Sequence, residues 1–335
     1  MTNSTRQTLA TNQALNEALR RTESTTAPTH WLFAPHSLLL ASGALLGMRT
    51  PIGKLAHDAG VSALLWAAII SLGVVIMLLP TQLTKRGLRL PDTSVVRYTM
   101  ISSLISFVLP NVLLFTVIPR VGAGYAGLMF ALSPVFTLLF ASLFGMKTPG
   151  RLGMAGIAIG VVGALLVSLT RGTHPQGPEL AWLLAAAAIP VVLAIGNVYR
   201  SRWWPEGALP NSLAFWGHLF AAGVFLVIIA ATGQELPVAG IASAKTLIVI
   251  QMVISGLNFP LFYRLQRDGG PVLLSQIGYV SAAVSLIVAT VFLGERYALS
   301  TWLGAGIIGV GIIATVMAQR LESQVPVQLK EGAMK

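Results

Sequence analysis

The chain has 335 residues, of which 55% are hydrophobic and only 10% charged, with a mean hydropathy of +0.76. A soluble domain carries about 25% charge to face water, so a soluble globular surface is excluded, and disorder, collagen and coiled coil are excluded with it. Cysteine is absent, which removes disulfides, thiolate metal sites and a cysteine nucleophile; the net charge of +11 acquires meaning only from where the basic residues fall.

Residues 1–31 are polar and hold no apolar core of the 7–15 residues that a secretory leader needs, so they read as a disordered cytoplasmic tail. From Leu32 the chain divides into apolar blocks of about 20 residues, the length that crosses about 30 Å of hydrocarbon as helix. They lie at 32–53, 61–80, 98–118, 121–146, 152–170, 180–199, 211–232, 246–263, 270–293 and 297–319. Barrel strands would be about half as long and would alternate in polarity, a pattern the chain lacks. The expected fold class is all-α integral membrane, with ten transmembrane helices.

One formally charged residue, Arg49, falls inside these blocks. Sixteen basic residues fall in the tails and even-numbered loops, against five in the odd-numbered loops. Basic residues concentrate on the cytoplasmic side, so both termini are expected there. The basic character is thereby explained as topology, and no nucleic-acid partner is expected.

Shifting the chain by 148 residues superposes the fourth and fifth blocks on the ninth and tenth without a gap. Nine identities result over 42 positions, among them Gly122 with Gly270, Ser133 with Ser281 and Gly163 with Gly311. Five helices per copy is an odd number, so the second copy enters the membrane from the opposite side. Inverted repeats of this kind characterise secondary transporters, whose substrate site lies near the midplane where the repeats meet. The expected organisation is a repeat over 32–171, a second over 179–320, and a cytoplasmic tail over 321–335.

Four motifs carry a family resemblance. They are Gly47-x-x-x-Pro51-x-x-Lys54, Ala131-Leu132-Ser133-Pro134-Val135, Asn197-x-x-Arg200 and Leu293-Gly294-Glu295. In this order, over about residues 32–320, the chain resembles the EamA-type ten-helix permeases and exporters of the drug/metabolite transporter superfamily. It departs from the family at the end of the fourth span, where Met146-Lys147 stands in place of Gly-Glu.

Arg49 is the first candidate for a substrate site, because a charge at membrane depth is expensive and commonly faces a bundle interior or water. Snorkelling to the nearby interface is the competing reading. Asn111, Asn197, Asn258 and Gln276 offer donors and acceptors inside apolar helices, and so does Gln251; each could equally serve as interhelical glue. The repeat places Asn111 and Asn258 near the midplane, each beside a proline that frees a backbone carbonyl. Tyr279, Phe107, Phe130 and Trp216 are aromatic candidates for a cavity wall. Trp203 and Trp204 beside Arg202 read as an interfacial belt. His218, the single deep histidine, reads as a satisfied or wall residue. The glycines of the fifth and tenth spans read as packing.

No Asp or Glu lies within the spans, so the usual carboxylate for proton coupling is missing. No phosphate-binding loop, metal-ligand spacing or nucleophile elbow occurs, so neither an enzyme nor a cofactor is expected. The resemblance implies a multi-pass inner-membrane exporter of small polar or amphipathic metabolites such as amino acids, working by alternating access as a monomer or homodimer. A sugar-phosphate or nucleotide-sugar exchanger of the same superfamily is the alternative, and a membrane-embedded enzyme the more distant one. The expected partners are a small-molecule substrate and the lipid bilayer. Topology supplies a direct test. Single cysteines placed in the 171–179 and 233–244 loops should label from outside, and those at 85–92 and 203–208 only after permeabilisation. Labelling in the reverse order would sink the assignment.

Overall fold

The computed structural model describes residues 34–84, 90–171 and 180–324. The 1–31 tail, most of the 171–179 loop and most of the 321–335 tail lie outside the described residues. Everything described is helix or short connection. Helix α1 (Pro35–Asp58) begins with proline in its first turn, where the missing N–H is no loss. It runs past Pro51 to Asp58, which meets Lys54 at 3.3 Å one turn earlier. Arg49 therefore lies nine residues, about 13 Å, from the helix end.

Helix α2 (Ala63–Thr84) returns. Asp92 then caps α3 (Thr93–Ser103), accepting the Val95 N–H at 2.9 Å and the Ser94 hydroxyl at 2.7 Å. The Val95 bond first, and then the Ser94 bond, hold its carboxyl below the ordinary carboxylate range. The chain widens into one π-helical turn at Leu104–Val108 before α4 (Leu109–Val121). Pro110 explains the widening. It has no N–H to continue the ladder and its ring crowds the carbonyl four residues back, and a π turn relieves both. Helix α5 (Ala123–Leu128) passes through a 3₁₀ turn at Met129–Leu132 into α6 (Ser133–Leu143), and α7 (Arg151–Arg171) follows.

The second half holds α8 (Leu180–Arg202), α9 (Pro210–Ala231), the short α10 (Val238–Ser243), α11 (Lys245–Ser275), α12 (Ile277–Leu293) and α13 (Leu299–Gln324). Helix α11 is broken at Gly270, with φ 72° and ψ −176°. Gly122, which separates α4 from α5, has φ 86° and ψ 153°. These two breaks fall at the positions that the 148-residue shift superposes, and both use a positive φ that a Cβ would oppose. A Cβ on Gly278 would sit 2.1 Å from the Phe130 carbonyl oxygen. Gly278 and Phe130 are also related by the shift, so the two interrupted segments cross at equivalent points.

Among the described residues seven runs of helix are long and apolar enough to cross a bilayer, and Arg151–Leu166 and Ile277–Leu293 are shorter apolar helices. The polarity is inside out. Ile76, Val227 and Phe292 are exposed, whereas Ser42, Thr50, His218, Gln251 and Asn258 are buried. A hydrocarbon solvent dictates this arrangement, since an apolar side chain gains nothing by leaving lipid while an amide does.

Helix α7 lies along α13, α1 packs on α11 and α12, and α2 on α9 and α11. One contact breaks the likeness of the two halves. The Glu295 carboxylate accepts the N–H groups of Ala123 at 3.0 Å and Gly124 at 3.3 Å, and the Tyr297 hydroxyl donates to it. At the equivalent place in the other half Glu295 becomes Lys147 and Ala123 becomes Pro271, which has no N–H. The departure at Met146-Lys147 is thus matched by a lost donor.

The α7–α13 seam is backbone on backbone. A Cβ on Gly311 would lie 2.7 Å from both the Gly156 carbonyl oxygen and the Gly160 nitrogen, while one on Gly309 would meet nothing within 4 Å. Overpacking a close contact costs about 1–3 kcal/mol. Gly311→Val should therefore lower the melting temperature and yield of detergent-purified protein, and Gly309→Ala should leave both unchanged. Equal melting temperatures for the two variants would show that the seam is not held this way.

Candidate functional site

A cavity lies between the two halves, with about 610 Å³ of space free of atoms counted out to its mouth. From the first half it is lined by Leu46, Arg49, Ser106, Phe107, Pro110, Asn111, Leu114, Phe130 and Ser133. The second half supplies Leu193, Asn197, Arg200, Phe259, Phe262, Ser275, Ile277 and Gly278. The interrupted segments build much of this wall. The π turn before Pro110 carries Ser106 and Phe107, the 3₁₀ turn carries Phe130, and the α11–α12 junction supplies Ser275, Ile277 and Gly278. Irregular backbone at membrane depth is tolerated where it is buried in protein or lines a cavity.

Among the described residues two arginines line this cavity, and no carboxylate does. Arg49 is buried, and its Nη2 donates to Asn111 Oδ1 at 2.6 Å. Its Nε has no partner among the described residues. The guanidinium carbon lies 6.0 Å from the centroid of the Phe259 ring. Arg200 is also buried. Its Nη2 donates to Asn197 Oδ1 and its Nε to Gln266 Oε1, both at 2.7 Å. The Phe262 and Phe107 centroids lie 4.9 and 5.8 Å from its guanidinium carbon. Gln266 is itself held, donating to the Asn197 carbonyl at 2.8 Å and to the Ser201 hydroxyl at 2.7 Å. Asn197 Nδ2 donates to Thr137 Oγ1 at 3.3 Å, and the Tyr98 hydroxyl donates to the Arg200 carbonyl at 3.2 Å.

Both guanidiniums are thus oriented by neutral amide oxygens. Each has five N–H donors, and the contacts above use only one on Arg49 and two on Arg200. Behind them His218 stacks on Phe107 with centroids 4.1 Å apart and meets Phe259 at a tilt with centroids 3.9 Å apart, so it backs the cavity wall. Its Nδ1 lies 3.4 Å from Ser71 Oγ. Among the described residues no group of His, Asp and Glu could hold a metal ion. The arrangement can bind an anion.

Of the six residues singled out from sequence, Arg49, Asn111 and Asn197 line this cavity. Asn258 is buried outside its lining and accepts the Ser42 hydroxyl at 2.7 Å. Gln276 sits at the α11–α12 junction and borders a separate pocket with Lys147, Gly153 and Thr315. Tyr279 is buried in the α7–α12 contact, donating to the Ile157 carbonyl at 3.2 Å. Phe107 and Phe130 are in the wall, and Trp216 is not. Arg200 is the residue that reading by position missed, because it was counted among the basic residues of an inner loop. Its signal was the three-residue spacing from Asn197, which puts both on one helix face. Gln266, Phe259 and Phe262 had no comparable signal.

The family model described as the EamA-like transporter family matches residues 8–169 and 179–317. The chain is 29% identical over 211 residues to a protein of Escherichia coli (strain K12) named an uncharacterized inner membrane transporter, YedA, a match spanning 62% of this chain and 66% of that protein. The chain therefore covers just under two thirds of that relative's length. A probable terminal-alkyne amino-acid exporter of Streptantibioticus cattleyicolor is 28% identical over 213 residues, 62% of this chain and 69% of that one. One crystal structure superposes with a TM-score of 0.64 at 16% identity, covering 84% of this chain and 99% of the other; at that identity it shows a shared fold. With the family model matched across both halves, the chain belongs to the EamA-like transporter family.

Proposed function

We propose that this protein exports small carboxylate-bearing metabolites, the class that includes amino acids, across the cell inner membrane by alternating access. The observation that carries this reading is a cavity between the halves that holds two oriented guanidiniums and no acidic residue. An unpaired cation at membrane depth costs at least about 2.5–3.5 kcal/mol, and a carboxylate that accepts two parallel N–H bonds from its fork offsets that cost. The printed names of the relatives, an inner membrane transporter and an amino-acid exporter, support the same reading.

In this proposal ten spans form two five-helix repeats, over 32–171 and 179–320, with both termini cytoplasmic. The helix breaks at Gly122 and Gly270 and the crossing of Phe130 with Gly278 support it. The halves rock about the cavity, exposing it to one side and then the other. With no carboxylate in the cavity to carry a proton, transport runs by facilitated diffusion or exchange. The chain acts as a transporter without catalysis or a cofactor. The second arginine favours one further reading, the exchanger of phosphate-bearing metabolites, which needs more than one cation in the cavity.

Arg49 carries the test. In proteoliposomes Arg49→Ala should reduce transport of carboxylate-bearing solutes about ten-fold or more. Arg49→Lys, which keeps the charge and loses the fork, should be intermediate. Both should be recovered from the membrane in wild-type amounts. Wild-type transport of such a solute by Arg49→Ala would refute the assignment.

A further inference from the structure

We infer that the preferred ligand is a small solute with an acidic group at each end, one for Arg49 and one for Arg200. This rests on the reading of the cavity as a carboxylate site and narrows it. The two guanidiniums do not share a partner. Arg49 is held by Asn111 on α4, and Arg200 by Asn197 on α8 and Gln266 on α11. A pair of rings connects them. Arg49 lies over Phe259, Arg200 lies over Phe107, and those two rings meet edge to face with centroids 5.4 Å apart. The cavity therefore presents two guanidiniums with separate partners, linked by a pair of packed rings.

Charge selects among ligands. A monocarboxylate neutralises one arginine and leaves the other buried without a counter-charge, and a buried unpaired charge is strongly unfavourable. A zwitterionic amino acid does worse, because its ammonium enters a cavity that is already cationic and holds no carboxylate to receive it. A solute with two carboxylates neutralises both ends, and its short carbon body lies against Phe107 and Phe259. A single phosphate has the charge but carries it on one group, whereas the two guanidiniums are held by separate partners.

The purified full-length protein in detergent provides the test, with thermal stabilisation measured against butyrate, succinate, L-aspartate, L-alanine and inorganic phosphate at fixed ionic strength. Succinate should stabilise at about ten-fold lower concentration than butyrate, the order expected of one added charge-assisted pair. L-aspartate should exceed L-alanine in the same sense, and phosphate should fall below succinate. Arg200→Gln should remove the advantage of succinate over butyrate, and Arg200→Lys should restore part of it. Should Arg200→Gln fail to fold, the comparison of ligands on the wild-type protein still decides. Equal potency of butyrate and succinate, with both lost in Arg49→Ala, would overturn the two-ended ligand and leave the carboxylate site standing. Phosphate equal to succinate would also overturn it, in favour of a single dianionic group. Stabilisation by none of these anions would overturn both readings.

Discussion

A guanidinium inside an apolar bundle has to be solvated by something, and much of this interior is arranged around that requirement. Asn111, Asn197 and Gln266 each turn a side-chain oxygen toward an arginine. Gln266 is fixed in turn by the Asn197 carbonyl and Ser201, and the Arg200 backbone by Tyr98. Neutral acceptors orient the forks without cancelling their charge. Carboxylates at those positions would have formed closed ion pairs, stable and indifferent to an anion. Amides leave the charge available.

The same interior explains where the helices are interrupted. A continuous helix satisfies its own backbone and offers little to a solute. Here the π turn before Pro110, the 3₁₀ turn at Met129–Leu132 and the junction between α11 and α12 all border the cavity. Proline imposes a break locally, and tertiary packing brings the π turn, the 3₁₀ turn and the α11–α12 junction together around one cavity. The crossing of Phe130 with Gly278 leaves no room for a side chain at residue 278, so the two interrupted segments touch backbone to backbone.

The halves are alike in their breaks and unlike in their closures. Glu295 ties the end of α12 to the start of α5 through two backbone N–H groups. The corresponding positions carry Lys147 and Pro271, which cannot make that contact. A further pocket, bordered by Lys147, Gln266, Gly270 and Pro271, occupies that region. One half is thus fastened by a carboxylate and the other is not.

Membrane character was decided by composition alone, because hydrocarbon requires long apolar runs and tolerates few charges in them. Arg49 stood out in the sequence for the same reason, being a charge inside such a run. The paired breaks were legible in the shifted identities at Gly122 and Gly270. The spacing of Arg200 from Asn197 was legible but its place in the cavity was not, because a basic residue at the end of an apolar block has the same local signature whether it faces headgroups or folds back into the bundle. A long side chain leans toward the N-terminus of its helix, and here that direction leads to the cavity, as only the packing of α8 against α4 and α11 reveals. The amides divide likewise. Asn111 and Asn258 look equivalent by spacing, yet one meets Arg49 and the other meets Ser42. Which polar group in an apolar helix meets a cavity and which meets a neighbour depends on helix rotation and on what lies opposite, and both are properties of the assembled bundle.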